Sequence, residues 1–132
     1  MAKTLVSQSN IKLINVRSAG ELTTSYVSSD IFKIHGGNQL QLLISFVKGN
    51  SDGCRIMLEF SEDKVNWYQE SMITRVSSSS DVKHSPVVRR VEESGDMVIS
   101  VPVSACFLRV GSQAITSGTN TSLSIVATIA SI

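Results

Sequence analysis

Apolar residues alternate with polar ones through most of the chain, and no i, i+3, i+4 stripe of useful length interrupts them, so the pattern predicts an all-β protein. In residues 39–47, Leu40, Leu42, Ile44 and Phe46 share one face. Gln39, Gln41 and Ser45 share the other with the apolar Leu43 and Val47, which predicts a central strand with cover on both sides. A turn cluster at 48–53 leads to alternation at 55–60, with Ile56, Leu58 and Phe60 inward, and the two runs read as a hairpin. After a polar turn at 61–66, the aromatic and β-branched run 67–74 extends the hairpin to a three-stranded meander.

Residues 77–86 have no periodicity and read as a long exposed loop. Short strands are expected at 87–91, at 97–103, where Pro102 argues for an end or an edge, and at 107–110. A Ser/Gly/Thr-rich loop at 111–120 precedes a last strand at 121–132, with Leu123, Ile125, Ala127 and Ile129 facing one way. Further strand candidates lie at 4–7, 11–16 and 31–35, and residues 1–30 read as an extended arm plus edge strands. The expectation is a single domain over residues 1–132: an antiparallel, jelly-roll-like β-sandwich of eight or nine strands.

Composition narrows the function classes. Twelve Lys and Arg against eleven Asp and Glu leave a net charge of +1, so no large single-sign field draws in nucleic acid or an acidic membrane. Only 17 % of residues are charged, against about 25 % in an average soluble protein. The 23 Ser and 8 Thr supply hydroxyls that cover a surface without stranding a charge when it is buried against a partner. No run approaches the roughly 20 apolar residues of a membrane helix, and residues 1–5 lack the apolar stretch of a secretory signal, so cytosolic synthesis is expected.

Candidate chemistry is sparse. Cys54 and Cys106 lie in no metal-ligand spacing and read as two buried free thiols, with a single disulfide as the alternative. His35 and His84 fall beside a Gly-Gly turn and in the serine-rich stretch, and the acidic pairs Glu62-Asp63 and Glu92-Glu93 sit in turns, where they read as solvated polar residues. Residues 50–53 offer oxygens but lack the closing Glu of a calcium loop, and the basic cluster Lys83, His84, Arg89 and Arg90 is offset by Glu92 and Glu93. The expectation is therefore no enzyme, no metal and no cofactor. Trp67 follows a turn and is expected in the core.

The runs Leu58-Glu59-Phe60-Ser61-Glu62-Asp63-Lys64-Val65-Asn66-Trp67-Tyr68 and Val101-Pro102-Val103-Ser104-Ala105-Cys106-Phe107-Leu108-Arg109-Val110 resemble a pattern of discoidin-like and other jelly-roll sandwiches. The resemblance implies a tight turn between two core strands, a Trp capping the barrel mouth and a late Arg near it. The chain is also similar to small capsid decoration or cement proteins of tailed bacteriophages. That likeness implies a virion protein, made in the host cytoplasm, which binds a major capsid or other virion protein as a homo-oligomer. The interface is expected on the N-terminal segment (Lys3, Leu5), the 77–86 loop (Ser79, Asp81, Lys83) and the 111–120 loop (Thr116, Thr119). The discoidin resemblance implies an alternative, a carbohydrate-binding module for host-surface attachment that contacts sugar through Trp67, Tyr68 and Arg109.

Overall fold

The computed structural model describes residues 11–34, 39–102 and 107–130. Among them are twelve strands: β1 (Ile11–Arg17), β2 (Val27–Ser28), β3 (Phe32–Lys33), β4 (Gln39–Val47), β5 (Cys54–Ser61), β6 (Tyr68–Gln69), β7 (Ser71–Arg75), β8 (Val82–Pro86), β9 (Arg89–Val91), β10 (Gly95–Pro102), β11 (Phe107–Ala114) and β12 (Ser122–Ala130). All described pairings are antiparallel, and one sheet runs β1-β12-β4-β10. The other runs β2-β11-β5-β6, with β3 also on β11 and β9 also on β5.

Two short strands in series, β2 with β3 and β6 with β9, each occupy one place beside a longer neighbour. The body is therefore two sheets of four places, and β7 with β8 forms a separate ribbon. Successive places cross from sheet to sheet except at the β5–β6 turn, which is jelly-roll connectivity. The described residues form twelve strands where eight or nine were expected, because two places are each broken into two short strands and the ribbon is added.

The core lies between the sheets. Leu40, Leu42, Ile44 and Phe46 of β4 and Leu123, Ile125, Ala127 and Ile129 of β12 meet Ile56 and Leu58 of β5 and Leu108 and Val110 of β11. Every second residue of these strands is apolar, save the buried Ser112 of β11, so one face of each sheet leaves water as a unit.

Three expectations change. β4 and β5 are not a hairpin: they lie in opposite sheets, joined by an arch at 48–53. Nor is β4 covered on both sides, since its residues alternate strictly between buried and exposed. The run 67–74 splits at Glu70, where β6 ends beside β5 and β7 departs into the ribbon.

The arch is held by backbone-to-backbone packing on the loop before β12. Asn50 N donates to Thr119 O (3.1 Å) and Ile115 N to Gly53 O (2.9 Å). A Cβ on Gly49 would sit 2.2 Å from Thr119 O, and one on Gly118 2.6 Å from Ser51 N, so this approach requires glycine on both sides. Arg17 closes the same end of the sandwich: its guanidinium donates to the carbonyls of Gly20 (3.2 Å), Glu21 (2.8 Å) and Leu123.

Candidate functional site

Alternation turns the other half of the four-stranded sheet outward. The register lays these residues in rows: Leu13, Thr128, Gln41, Ser100; then Asn15, Val126, Leu43, Val98; then Ser124, Ser45, Asp96. Asp96, on the edge strand β10, is the one ionisable side chain in these rows. Leu13 and Val98 are 68 % and 56 % exposed, and Leu43 and Val47 are also open to solvent. A shallow groove of about 430 Å³ runs between Leu43, Val98 and Val126, with Ser45, Ser124 and Asp96 beside it. The Ser45 hydroxyl donates to Asp96 Oδ1 at 2.7 Å. Such a face surrenders apolar area and neutral hydroxyls to a partner at little desolvation cost.

The outer face of the six-stranded sheet is covered instead. Arg109 opposes Glu59 across the β11–β5 ladder, and its Nε donates to Glu59 Oε1 at 2.9 Å. Its guanidinium lies 4.2 Å from the centroid of the Trp67 ring, a cation–π stack. Arg55 donates to Gln113 Oε1 (3.1 Å), Gln113 donates to Thr24 O (2.7 Å), and Lys64 sits over the Phe107 ring at 4.8 Å.

Trp67 is therefore half-buried on an outer surface and does not enter the core cluster, contrary to expectation. The reason is register: Gln69 opposes Glu59, so Trp67, two residues earlier, falls on the same outward side. Tyr68 opposes Phe60, lies on the other side and is 70 % exposed. Of the three residues proposed for sugar contact, Trp67 and Arg109 are brought together and Tyr68 is not. One face of the indole is occupied by the guanidinium.

The turn that delivers Trp67 is organised by Asp63. Its Oδ1 accepts from the backbone N–H groups of Val65 and Asn66 (both 2.8 Å) and from the Ser61 hydroxyl (3.0 Å), while Oδ2 accepts from Asn66 Nδ2 (2.7 Å). These donors, the Asn66 backbone N–H foremost, hold the Asp63 carboxyl well below the usual carboxylate range.

The expected interface residues separate. Lys83 is not in a loop: it lies on β8, opposite Thr74 of β7. Ser79 and Asp81 form the tip of that ribbon, with Asp81 N donating to Ser79 Oγ at 3.0 Å. Thr116 and Thr119 turn inward on the arch, since Thr116 Oγ1 accepts from Asp52 N (2.9 Å) and Thr119 Oγ1 from Asn50 Nδ2 (2.8 Å). Residues 111–114 continue β11, so the loop there is shorter than expected. Lys3 and Leu5, the strand candidate at 4–7, His35 and Cys106 lie outside the described residues. Cys54 is a free thiol with no exposure, and burial pushes its pKa up to about 11.

Neither the open sheet face nor the ribbon was expected from the sequence. Leu43, Val47, Val98 and Val126 at outward positions were the available signal for the first, and the flanking of 77–80 by Ile73, Val76 and Val82 for the second. Among the described residues no three His, Cys, Asp or Glu side chains converge as a metal site would require, and no helix is long and apolar enough to cross a membrane. No family model matches the chain, and no curated protein or solved structure is significantly similar to it.

Two outcomes follow from the covered face and its turn. Arg109→Met, which keeps the stem and strands Glu59, is expected to cost about 1–2 kcal/mol in urea unfolding, limited by the solvent both groups retain. Adding Glu59→Gln should recover part of that loss, and strict additivity would contradict the pairing. Asp63→Ala is expected to lower Tm at neutral pH. Because the folded carboxyl is depressed, its contribution is complete above the unfolded value of about 4 and is lost as pH falls further towards the folded value. A Tm difference from wild type that stays constant down to the acid limit of folding would contradict this.

Proposed function

We propose that the chain is a non-enzymatic structural protein of a bacteriophage virion, one that decorates or cements the assembled particle by binding a major capsid or other virion protein. The observation that carries the reading is the outer face of the four-stranded sheet. Leu13, Leu43, Val98 and Val126 stand there among Ser, Thr, Asn and Gln side chains, with one carboxylate at the rim. An exposed, nearly uncharged surface carrying several large apolar side chains suits a protein–protein contact. The likeness of the chain, in its size and Ser/Thr-rich loops, to small phage decoration proteins suggests the particle.

The carbohydrate reading needs Trp67, Tyr68 and Arg109 on one surface. Trp67 already stacks on Arg109, Arg109 is paired with Glu59, and Tyr68 lies across the sheet, so assembly is the better use of the arrangement.

The experiment adds purified tagged chain to phage particles that lack it and follows co-sedimentation. Wild type is expected to bind saturably, and a Leu43→Asp, Val98→Asp double variant of unchanged circular dichroism to bind at least about tenfold more weakly, since each change buries an uncompensated charge. No co-sedimentation of wild type, or equal binding of the double variant, would contradict the proposal.

A further inference from the structure

The ribbon is the least explained part of the fold. β7 and β8 pair with each other and form a sheet of their own, and almost every side chain on them is exposed. A two-stranded hairpin alone in water is marginal, since it has no third surface against which to bury its apolar residues. Here Ile73 and Val82 are 62 % and 56 % exposed, and Met72 is open as well.

Its root, by contrast, is fixed. Glu70 takes a two-pronged contact from Arg89, with Nη2 to Oε2 at 3.0 Å, and its backbone joins Leu58 O (3.1 Å) and Val87 N (2.8 Å). A fixed base carrying a ribbon that exposes Met72, Ile73 and Val82 and has no core of its own is suited to reach another surface.

The register shows which chemistry the ribbon presents. Ile73 opposes His84 and Arg75 opposes Val82, so Ile73, Val82, Arg75 and His84 share one face, while Thr74 and Lys83 share the other. The apolar pair beside an arginine is the complement of the groove on the four-stranded sheet, where Leu43, Val98 and Val126 adjoin Asp96. Among the described residues neither Arg75 nor Asp96 has an ion-pair partner. Both halves of the match are on the same polypeptide, one of each per copy.

We propose that the β7–β8 ribbon of one copy docks into the Leu43–Val98–Val126 groove of a second copy, with Arg75 paired to Asp96. Each copy gives a ribbon and receives one, so every ribbon and groove is filled only when the copies close on themselves, as a reciprocal dimer or a larger ring. Docking covers the exposed apolar side chains of both surfaces and pairs two lone charges at the edge of the contact. The inference rests on the assembly reading and assigns the groove to a second copy, so that the closed oligomer, not the lone chain, meets the particle; it is tested on the pure chain without any particle.

The experiment measures the oligomeric state of the full-length chain by light scattering across a concentration series. Wild type is expected to form one closed oligomer. Arg75→Glu and Asp96→Lys are each expected to weaken association by about tenfold or more, and the double variant to restore most of it, because the reversed charges again attract. Ile73→Ser, which leaves Asp96 and its Ser45 bond untouched, should weaken association alike, so the result does not depend on Asp96→Lys folding well.

A monomeric wild type, unaffected single variants, or a double variant as weak as the singles would each overturn the proposal. If the monomer still joined phage particles through its Leu43 and Val98 face, the occupant of the groove would be wrong and the proposed function would stand. If the oligomer formed as described and particles never took it up, the reverse would hold.

Discussion

Everything in this molecule depends on burying one face of β4 and β12 against one face of β5 and β11. Leu42, Ala127, Ile56, Leu58 and Leu108 have no exposure at all, and they come from both sheets. Because side chains alternate along a strand, committing these residues to the core commits their neighbours to solvent, and a slip of one residue would exchange the two sets. Which positions face outward is thus fixed by the inward pattern, whereas the residue types that fill them are not.

The two outward faces have been filled in opposite ways. On the six-stranded sheet, Arg109, Glu59, Trp67, Arg55 and Gln113 satisfy one another through stacks and hydrogen bonds, which leaves little for a partner to take. On the four-stranded sheet, leucine and valine stand among hydroxyls and amides, and the single carboxylate is held by Ser45. The first arrangement stabilises the monomer; the second gains most when something covers it. Beyond a root locked by Glu70 and Arg89, the ribbon likewise leaves Ile73 and Val82 exposed, beside Arg75 and His84.

The all-β class and the inward residues of β4, β5 and β12 were legible in the sequence because period-2 alternation over seven or more residues leaves little choice. Pro102 argues from the sequence for an end or an edge, and it is the last residue of β10, which lies at the edge of its sheet among the described strands. The arch at 48–53 was not legible. A Gly-Asn-Ser-Asp-Gly cluster turns the chain equally well within a sheet or between sheets, and the choice is made by the loop around Thr119, some 70 residues away. β8 escaped notice for another reason: its ladder is made of backbone bonds with both faces in solvent, so no apolar alternation marks it. The core position expected for Trp67 fails because a place after a turn does not reveal which face a side chain takes, whereas the late Arg that the resemblance sets near it is found: Arg109, 42 residues further on, stacks on the ring.

The central claim is that the monomer is complete in its core and incomplete on one sheet face and its ribbon. Amide hydrogen exchange on the free chain and on its assembly tests it most directly. The account predicts that β4, β12, β5 and β11 exchange slowly in both states, while β7, β8 and the edge strand β10 exchange fast when free and slow when assembled. Ribbon amides already as protected as the core in the free chain, or new protection confined to the Trp67–Arg109 face, would contradict it.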